Sequence, residues 1–126
     1  MLVEERMKAQ PVTVTPQDSF RHAMMLIRQR GIRHLPVGEE GRLIGIVTDR
    51  DLRQASPSPA TSLEVHELHY LLERITVREI MTSPVVTVTP DTPIDEAALI
   101  MLQDRIGCLP VLRGTELVGI RTVSDI

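Results

Sequence analysis

The second half of this chain repeats the first. Residues 3–52 can be laid on residues 77–126 without a gap, at a constant shift of 74 positions that carries Met7 onto Met81. The segments that recur most closely are Val12–Pro16 with Val86–Pro90, Leu35–Val37 with Leu109–Val111, and Gly45–Asp51 with Gly119–Asp125. A duplication of this kind is typical of two copies of one supersecondary unit that bury their apolar faces against each other. The sequence therefore predicts repeat 1 at residues 3–52, a linker loop and helix at residues 53–76, and repeat 2 at residues 77–126.

A chain of 126 residues can form one compact domain or two small ones. A single repeat of about 50 residues would have only a marginal core by itself. Two such units leave a cleft along their common axis, and we expect the residues that act chemically to point into that cleft.

The composition excludes several classes of partner. Hydrophobic residues make up 42% of the chain and charged residues 25%, as in ordinary soluble proteins. A net charge of −3 and an aromatic content of 2% argue against a nucleic-acid partner, which needs a basic surface or stacking side chains. No apolar run approaches the roughly 20 residues of a membrane span. The single cysteine, Cys108, fits a reducing compartment, so we expect a cytoplasmic protein.

Each repeat has the pattern strand, helix, strand, strand, and the start of a second helix. In repeat 1 the predicted strands are Val12–Thr15, Ile32–Val37 and Leu43–Val47. The first helix begins at an N-cap at Asp18 or Ser19 and ends before Gly31, and the second begins at Thr48 or Asp49. In repeat 2 we predict Thr92 as N-cap, Pro93 as first helical residue, a helix to Asp104, and strands at Ile106–Leu112 and Leu117–Thr122. Helices and strands alternating with short connections indicate an α/β architecture.

The linker is predicted to contain a loop followed by a helix. Ser56–Ala60 is rich in serine and proline, and Ser62–Arg74 has the spacing of an amphipathic helix. Its apolar side is predicted to consist of Leu68, Leu71, Leu72 and Ile75. Repeat 2 stops at Ile126, the counterpart of Leu52, so we expect it to lack a closing helix. Either the sequence is part of a longer chain, or the repeat 1 helix or another chain covers that position.

A Thr-x-x-Asp pair follows the last strand of each repeat. Thr48 and Asp51 lie at a strand-to-helix junction, and Thr122 and Asp125 repeat the arrangement. Free backbone N–H groups and the threonine hydroxyl suit a phosphate oxygen there, and a carboxylate one turn further can accept from ribose hydroxyls. The same residues are equally suited to plain helix capping, which spacing alone favours.

Longer segments around these pairs resemble the CBS domain, named for cystathionine β-synthase. Arg30–Val37 with Gly41–Leu52 looks like one such domain, and Asp104–Val111 with Leu117–Ile126 looks like a second. Together they resemble a tandem CBS pair, or Bateman module, over nearly the whole chain. Met81–Val85 and the Ser56–Pro59 loop are similar to stand-alone CBS proteins of the acetoin-utilisation type.

The resemblance implies a fold and a function. Each CBS repeat is expected to be a three-stranded sheet with two helices, and the two repeats are expected to be related by a pseudo-twofold axis. Two such pairs commonly assemble into a flat disc, so we expect a homodimer. Members of the family bind adenosine-containing ligands such as AMP, ATP or S-adenosylmethionine between the repeats and regulate a partner protein. No cofactor is required, and catalysis is not expected.

The resemblance also assigns candidate binding residues. Thr48 and Asp51 are expected to hold phosphate and ribose, and Arg33 and His34 to face the phosphates, as a guanidinium and an imidazole can. Ile32 and Ile106, with Val12 and Val86, are expected to flank the adenine ring. Arg50 adds to an excess of basic residues in repeat 1, so the cleft built on Thr48 and Asp51 is the preferred phosphate site over the one at Thr122 and Asp125.

Each assignment has a structural alternative. Arg33 and His34 could alternate along a strand with one side chain in solvent, and the four apolar residues could simply be core. A ligand-free dimerisation or interaction scaffold is the alternative function. His66 and His69 do not have the His-Glu-x-x-His spacing of zinc hydrolases, Cys108 has no neighbouring base, and no catalytic set of residues is recognisable.

Overall fold

The computed structural model describes residues 1–55 and 65–122, and the elements below lie within these ranges. The strands are β1 Lys8–Ala9, β2 His34–Glu39, β3 Arg42–Thr48, β4 Cys108–Arg113 and β5 Glu116–Thr122. The helices are α1 Phe20–Arg30, α2 Asp49–Ala55, α3 Val65–Arg74, α4 Val77–Ile80 and α5 Ile94–Asp104, with one 3-10 turn at Val3–Glu5. This mixture of helices and strands confirms the predicted fold class.

The strands form two small sheets that have the same internal register. In repeat 1, β2 and β3 run antiparallel with His34 opposite Thr48, and the register shifts after Val37. In repeat 2, β4 and β5 run antiparallel with Cys108 opposite Thr122, and the register shifts after Val111. The duplication in the sequence is therefore reproduced in the strand pairing, including the position of the irregularity.

Each sheet is extended at one edge by the other repeat. β1 belongs to repeat 1 but pairs with β5 of repeat 2, where Lys8 lies opposite Ile120. The counterpart of Lys8 is Thr82, which forms an antiparallel bridge with Ile46 on β3. Because the two exchanges are reciprocal, the repeats are joined at two edges and hold each other in place.

The segments that precede these edges also cross to the opposite repeat. Val3 is fully buried in the repeat 2 core, where its backbone N–H donates to the carbonyl of Thr92. Its counterpart Val77 is fully buried in the repeat 1 core, where its N–H donates to the carbonyl of Asp18. Each hydrophobic core is therefore completed by one valine from the other repeat.

Local sequence signals explain the ends of the first helix. The Ser19 hydroxyl accepts a hydrogen bond from the backbone N–H of His22, which makes Ser19 the N-cap of α1. Gly31 ends the helix in the left-handed conformation at φ 63°, which glycine adopts without steric cost. Phe20, Ala23 and Ile27 are buried on one side of α1, as the helical spacing predicted.

Three predictions about local structure are wrong in detail. Val12–Thr15 is not a strand: Val14 alone forms a parallel bridge to Val37, because the next hydrogen bonds of the ladder would need N–H groups that Pro16 and Pro36 lack. The N-cap of α5 is Pro93 and not Thr92, whose hydroxyl instead accepts from the N–H of Thr89. On α3, Leu72 is buried, whereas Leu71 is 38% exposed.

Two parts of the linker prediction lie outside the described residues. They are the loop at Ser56–Ala60 and the first turn of the predicted Ser62–Arg74 helix. Among the described helices, none combines the length and apolar character that crossing a membrane would require.

Candidate functional site

A cavity of about 340 Å³ lies between the two repeats. Repeat 1 contributes the start of β2, the end of β3 and the start of α2, whereas repeat 2 contributes the segment between α4 and α5 and the turn that leads into β4. The lining residues are His34, Ile46, Thr48, Arg50, Asp51, Thr82, Pro84, Val85, Val86, Arg105, Ile106, Gly107 and Cys108. The structure therefore places a ligand-sized space where the duplication predicted a cleft.

Thr48 and Asp51 form one wall of this cavity and cap α2 at the same time. The backbone N–H of Thr48 donates to Oδ2 of Asp51 over 2.9 Å, and the backbone N–H of Asp51 donates to Oγ1 of Thr48 over 3.0 Å. This reciprocal pair uses one carboxylate oxygen and one lone pair of the hydroxyl. The Oδ1 atom of Asp51 can still accept, and the hydroxyl hydrogen of Thr48 can still donate. Capping and ligand binding are therefore compatible in this pair.

His34 joins the same wall because of the strand register. It lies opposite Thr48 at the end of the β2–β3 ladder, and its side chain is partly buried. Burial lowers the pKa of His34 below its usual value, the charge of Arg33 lowers it further, and the charge of Asp51 acts in the opposite direction. The imidazole is therefore neutral near pH 7, with one ring nitrogen to donate and one to accept a hydrogen bond.

The opposite wall is largely apolar and comes from repeat 2. Ile106 and Val86 line it, and Pro84 and Val85 extend it. Val86 is 40% exposed, and an apolar side chain of that exposure beside a cavity offers surface to a flat ring. A polar wall from one repeat therefore faces an apolar wall from the other.

Two arginines, one from each repeat, carry the positive charge of the cavity. Arg50 belongs to α2, and Arg105 is the residue that ends α5. Neither guanidinium forms an ion pair or hydrogen bond within the described part of the chain, in contrast to Arg78, which pairs with Glu39. The two arginines outnumber Asp51, the one acidic residue among the lining residues, in a protein whose total charge is −3.

Of the eleven predicted site residues, the structure brings six together and leaves four elsewhere, and the last is not among the described residues. Those that line the cavity are Thr48, Arg50, Asp51, His34, Ile106 and Val86. Arg33 is exposed outside it, Ile32 and Val12 pack against the repeat 1 core, and Thr122 is buried at the end of β5. Asp125 lies outside the described residues. That any of these eleven residues contacts a ligand stays a prediction.

Sequence reasoning did not select the segment Thr82–Val85 or Ile46 for the site. Both belong to the exchanged edge, because Thr82 bridges to Ile46 and so carries the following residues along the cavity. The Ser83–Pro84 peptide bond, which is cis, lies within this segment. Periodicity within one repeat cannot reveal a contact that depends on the other repeat.

Cys108 is buried and forms no disulfide, as expected for a small strand residue. Within the described ranges, no three histidine, cysteine or acidic side chains are close enough together to hold a metal ion. The side chains of His66 and His69 are outside what the structure describes.

Known proteins with this arrangement identify the family. The CBS domain family model matches residues 3–58 and 77–126. The chain belongs to the CBS domain family. This result confirms the resemblance that the duplicated motifs indicated.

Solved structures of other CBS proteins share the fold. A protein from Vibrio cholerae described as an acetoin utilization protein, AcuB, is 33% identical, with a TM-score of 0.83 over 99% of this chain and 86% of that one. The CBS domain pair of protein MJ0100, in complex with 5′-methylthioadenosine and S-adenosyl-L-methionine, is 30% identical, with a TM-score of 0.82 over 99% and 91%. CBSX2, in complex with AMP, is 27% identical, with a TM-score of 0.79 over 98% and 91%.

Some relatives are enzymes that contain a CBS pair as a small part. The inosine-5′-monophosphate dehydrogenase of Korarchaeum cryptofilum is 35% identical over 91% of this chain, but the match spans only 21% of that enzyme. The match to such an enzyme is therefore only partial, whereas stand-alone CBS proteins are generally regulatory.

Proposed function

We propose that this chain is a regulatory module that binds an adenine nucleotide or a related adenosyl ligand in the cavity between its repeats. The observation that carries the proposal is the pairing of walls, with the Thr48–Asp51 pair on one side and Ile106 and Val86 on the other. The volume of about 340 Å³ is at the lower end of the range for small-molecule sites. CBS pairs of the same fold bind AMP, 5′-methylthioadenosine and S-adenosylmethionine.

The proposed contacts follow from the chemistry of each wall. The free Oδ1 of Asp51 accepts from ribose hydroxyls, and the Thr48 hydroxyl donates to the 5′ substituent. His34 and Arg50 lie on the same side and are suited to phosphate oxygens. The purine lies against Ile106 and Val86, where apolar contact does not require an aromatic side chain.

Regulation would follow from the way in which the ligand joins the repeats. A ligand that contacts both walls binds most tightly to one relative arrangement of the repeats and increases its population. A partner protein would recognise that arrangement. In this proposal the chain acts in the cytosol, requires no cofactor and does not itself catalyse a reaction.

We also propose that the module is a homodimer. On α5 one side is buried through Ala97 and Met101, yet Leu99 is 51% exposed and Leu102 is 76% exposed on the other. A helix with apolar residues on both sides needs a second surface to cover it. A second copy of the chain supplies such a surface. Native mass spectrometry of the purified protein reports the number of subunits and any retained nucleotide together.

The binding site is tested by Asp51→Ala. This change removes the ribose acceptor and should weaken the binding of AMP, 5′-methylthioadenosine and S-adenosylmethionine about tenfold or more in calorimetry, since each hydrogen bond to a charged group contributes about 1.5–3 kcal/mol. It also removes half of the α2 cap and should lower stability by about 1 kcal/mol.

The matched control is Asp18→Ala. Asp18 accepts from the N–H of Thr15 over 2.8 Å in another Thr-x-x-Asp turn, which does not line the cavity. Its loss should lower stability by a similar amount and leave ligand affinity unchanged. Equal affinity of wild type and Asp51→Ala for every ligand would reject the assignment. No melting-temperature shift of the wild type with any of them would favour the ligand-free scaffold instead.

A further inference from the structure

The two repeats differ at the residue that ends the equivalent helices α1 and α5. Gly31 ends α1 at φ 63°, and its counterpart Arg105 ends α5 at φ 55°, so both are left-handed. Glycine adopts this conformation freely, whereas an L side chain is strained in it. Repeat 2 therefore has an arginine at a position where a glycine, as in repeat 1, would avoid the strain. Backbone strain of this kind occurs preferentially at functional sites.

Arg105 has a place in the molecule that its capping role does not require. It lines the inter-repeat cavity beside Ile106, on the wall that faces Thr48 and Asp51. Its guanidinium is not engaged by any carboxylate of the described chain. Arg50 lines the same cavity from repeat 1. The two cationic groups can therefore approach one ligand from both repeats.

We propose that Arg105 is a specificity-determining residue that selects adenosyl ligands carrying phosphate over uncharged thioether and cationic sulfonium ligands. The inference rests on the proposed function and adds the chemical class of the 5′ substituent. A guanidinium presents a planar pair of N–H donors that matches two phosphate oxygens. The same charge repels a sulfonium and gains nothing from a methylthio group.

AMP and 5′-methylthioadenosine form a matched pair of probes, because they share adenosine and differ only at the 5′ carbon. At pH 8, where the AMP phosphate is a dianion, wild-type protein should bind AMP at least tenfold more tightly than 5′-methylthioadenosine, with S-adenosylmethionine weaker still. The preference should decrease with added salt, because it is electrostatic.

The decisive variant is Arg105→Gly, which restores the residue of repeat 1. It should weaken AMP binding about tenfold and leave 5′-methylthioadenosine binding within about twofold of wild type. Because the strain is relieved, the melting temperature without ligand should rise by roughly 3 °C. A residue with a merely structural role would not lose AMP affinity while gaining stability. Arg105→Lys should retain part of the preference.

Glu40→Gly is the control for strain relief alone. Glu40 is another non-glycine residue at positive φ, 52°, and it lies in the β2–β3 turn outside the cavity. This variant should gain stability and bind both ligands as wild type does. Equal wild-type affinity for AMP and 5′-methylthioadenosine, or an unchanged preference in Arg105→Gly, would overturn the inference and leave the proposed function intact. Wild type that binds no adenosyl ligand would overturn both.

Discussion

At the scale of single residues, Arg121 is a buried charged side chain where repeat 1 has an apolar one. It is 4% exposed on β5, opposite the core residue Leu109, and its counterpart in repeat 1 is the fully buried Val47. Its Nε and Nη1 atoms are buried and have no hydrogen-bond partner among the described residues. A buried guanidinium with unpaired donors is destabilising, because the lost hydration of those groups is not replaced.

We therefore expect Arg121→Met to stabilise the protein. Methionine keeps most of the side-chain length and removes the charge, so the free energy of unfolding should rise by about 1–3 kcal/mol. Urea unfolding followed by circular dichroism measures this change, provided that the m-value is unaltered. Arg113→Met, at an exposed position of β4, should not raise stability. A loss of stability in Arg121→Met would mean that the charge has a partner in the native protein.

At the scale of the secondary-structure elements, the exchanged edges depend on a close contact between a glycine and a methionine. A Cβ atom added at Gly45 on β3 would lie 2.5 Å from Sδ of Met81 and 3.2 Å from the carbonyl oxygen of Thr82. The same contact recurs between Gly119 on β5 and Met7. The absence of a side chain at these two positions is what lets each edge segment approach the opposite sheet.

Gly45→Ala should therefore weaken the exchanged edge. The methyl group would displace Met81 and press against the backbone of Thr82, and overpacking of this kind costs about 1–3 kcal/mol of unfolding free energy. Thermal unfolding measures the loss. Gly38→Ala in β2 is the control, because its Cβ would lie 3.6 Å from the nearest atom, an ordinary contact. Equal stability of the two variants would show that the edge yields without cost.

At the scale of the whole molecule, two ion pairs of opposite polarity accompany the exchange. Arg78 of repeat 2 pairs with Glu39 of repeat 1 over 3.0 Å, and Glu4 of repeat 1 pairs with Arg113 of repeat 2 over 3.9 Å. Glu4 is the counterpart of Arg78, and Glu39 is the counterpart of Arg113. If each segment docked on its own repeat, Glu4 would face Glu39 and Arg78 would face Arg113. The charge reversal therefore favours exchange over self-docking.

A charge swap at one pair tests this explanation. Glu4→Arg places two arginines together and should lower the melting temperature by a few degrees at low salt, with less effect at high salt. Adding Arg113→Glu should recover most of the loss. Glu5→Arg, which replaces another acidic residue of the same turn, should not be rescued by Arg113→Glu, because Arg113 pairs with Glu4. If the double variant is no more stable than Glu4→Arg, the pair does not contribute to docking.

Much of the fold and part of the site could be predicted from the sequence. Helix α1, its Ser19 cap and its Gly31 stop depend on local signals, and strands β2 to β5 depend on short apolar runs, so both were predictable. Thr48 and Asp51 could be selected because their spacing defines a helix start. The resemblance implies that Arg33 and His34 both face the phosphates, but His34 lines the cavity and Arg33 does not, because an alternating strand points one of the two there and the register decides which.

The amino-acid sequence by itself determined the duplication, the elements of each repeat and the position of the Thr-x-x-Asp pairs, because these follow from composition and spacing within about fifty residues. The tertiary structure alone decided that the edge segments cross to the opposite repeat. This crossing brings Thr82–Val85 to the cavity, which Arg105 also lines. The reason is that a duplicated sequence offers each segment two nearly equal docking places. Side-chain contacts between repeats that reverse in charge, such as those of Glu4 and Arg78, distinguish between them.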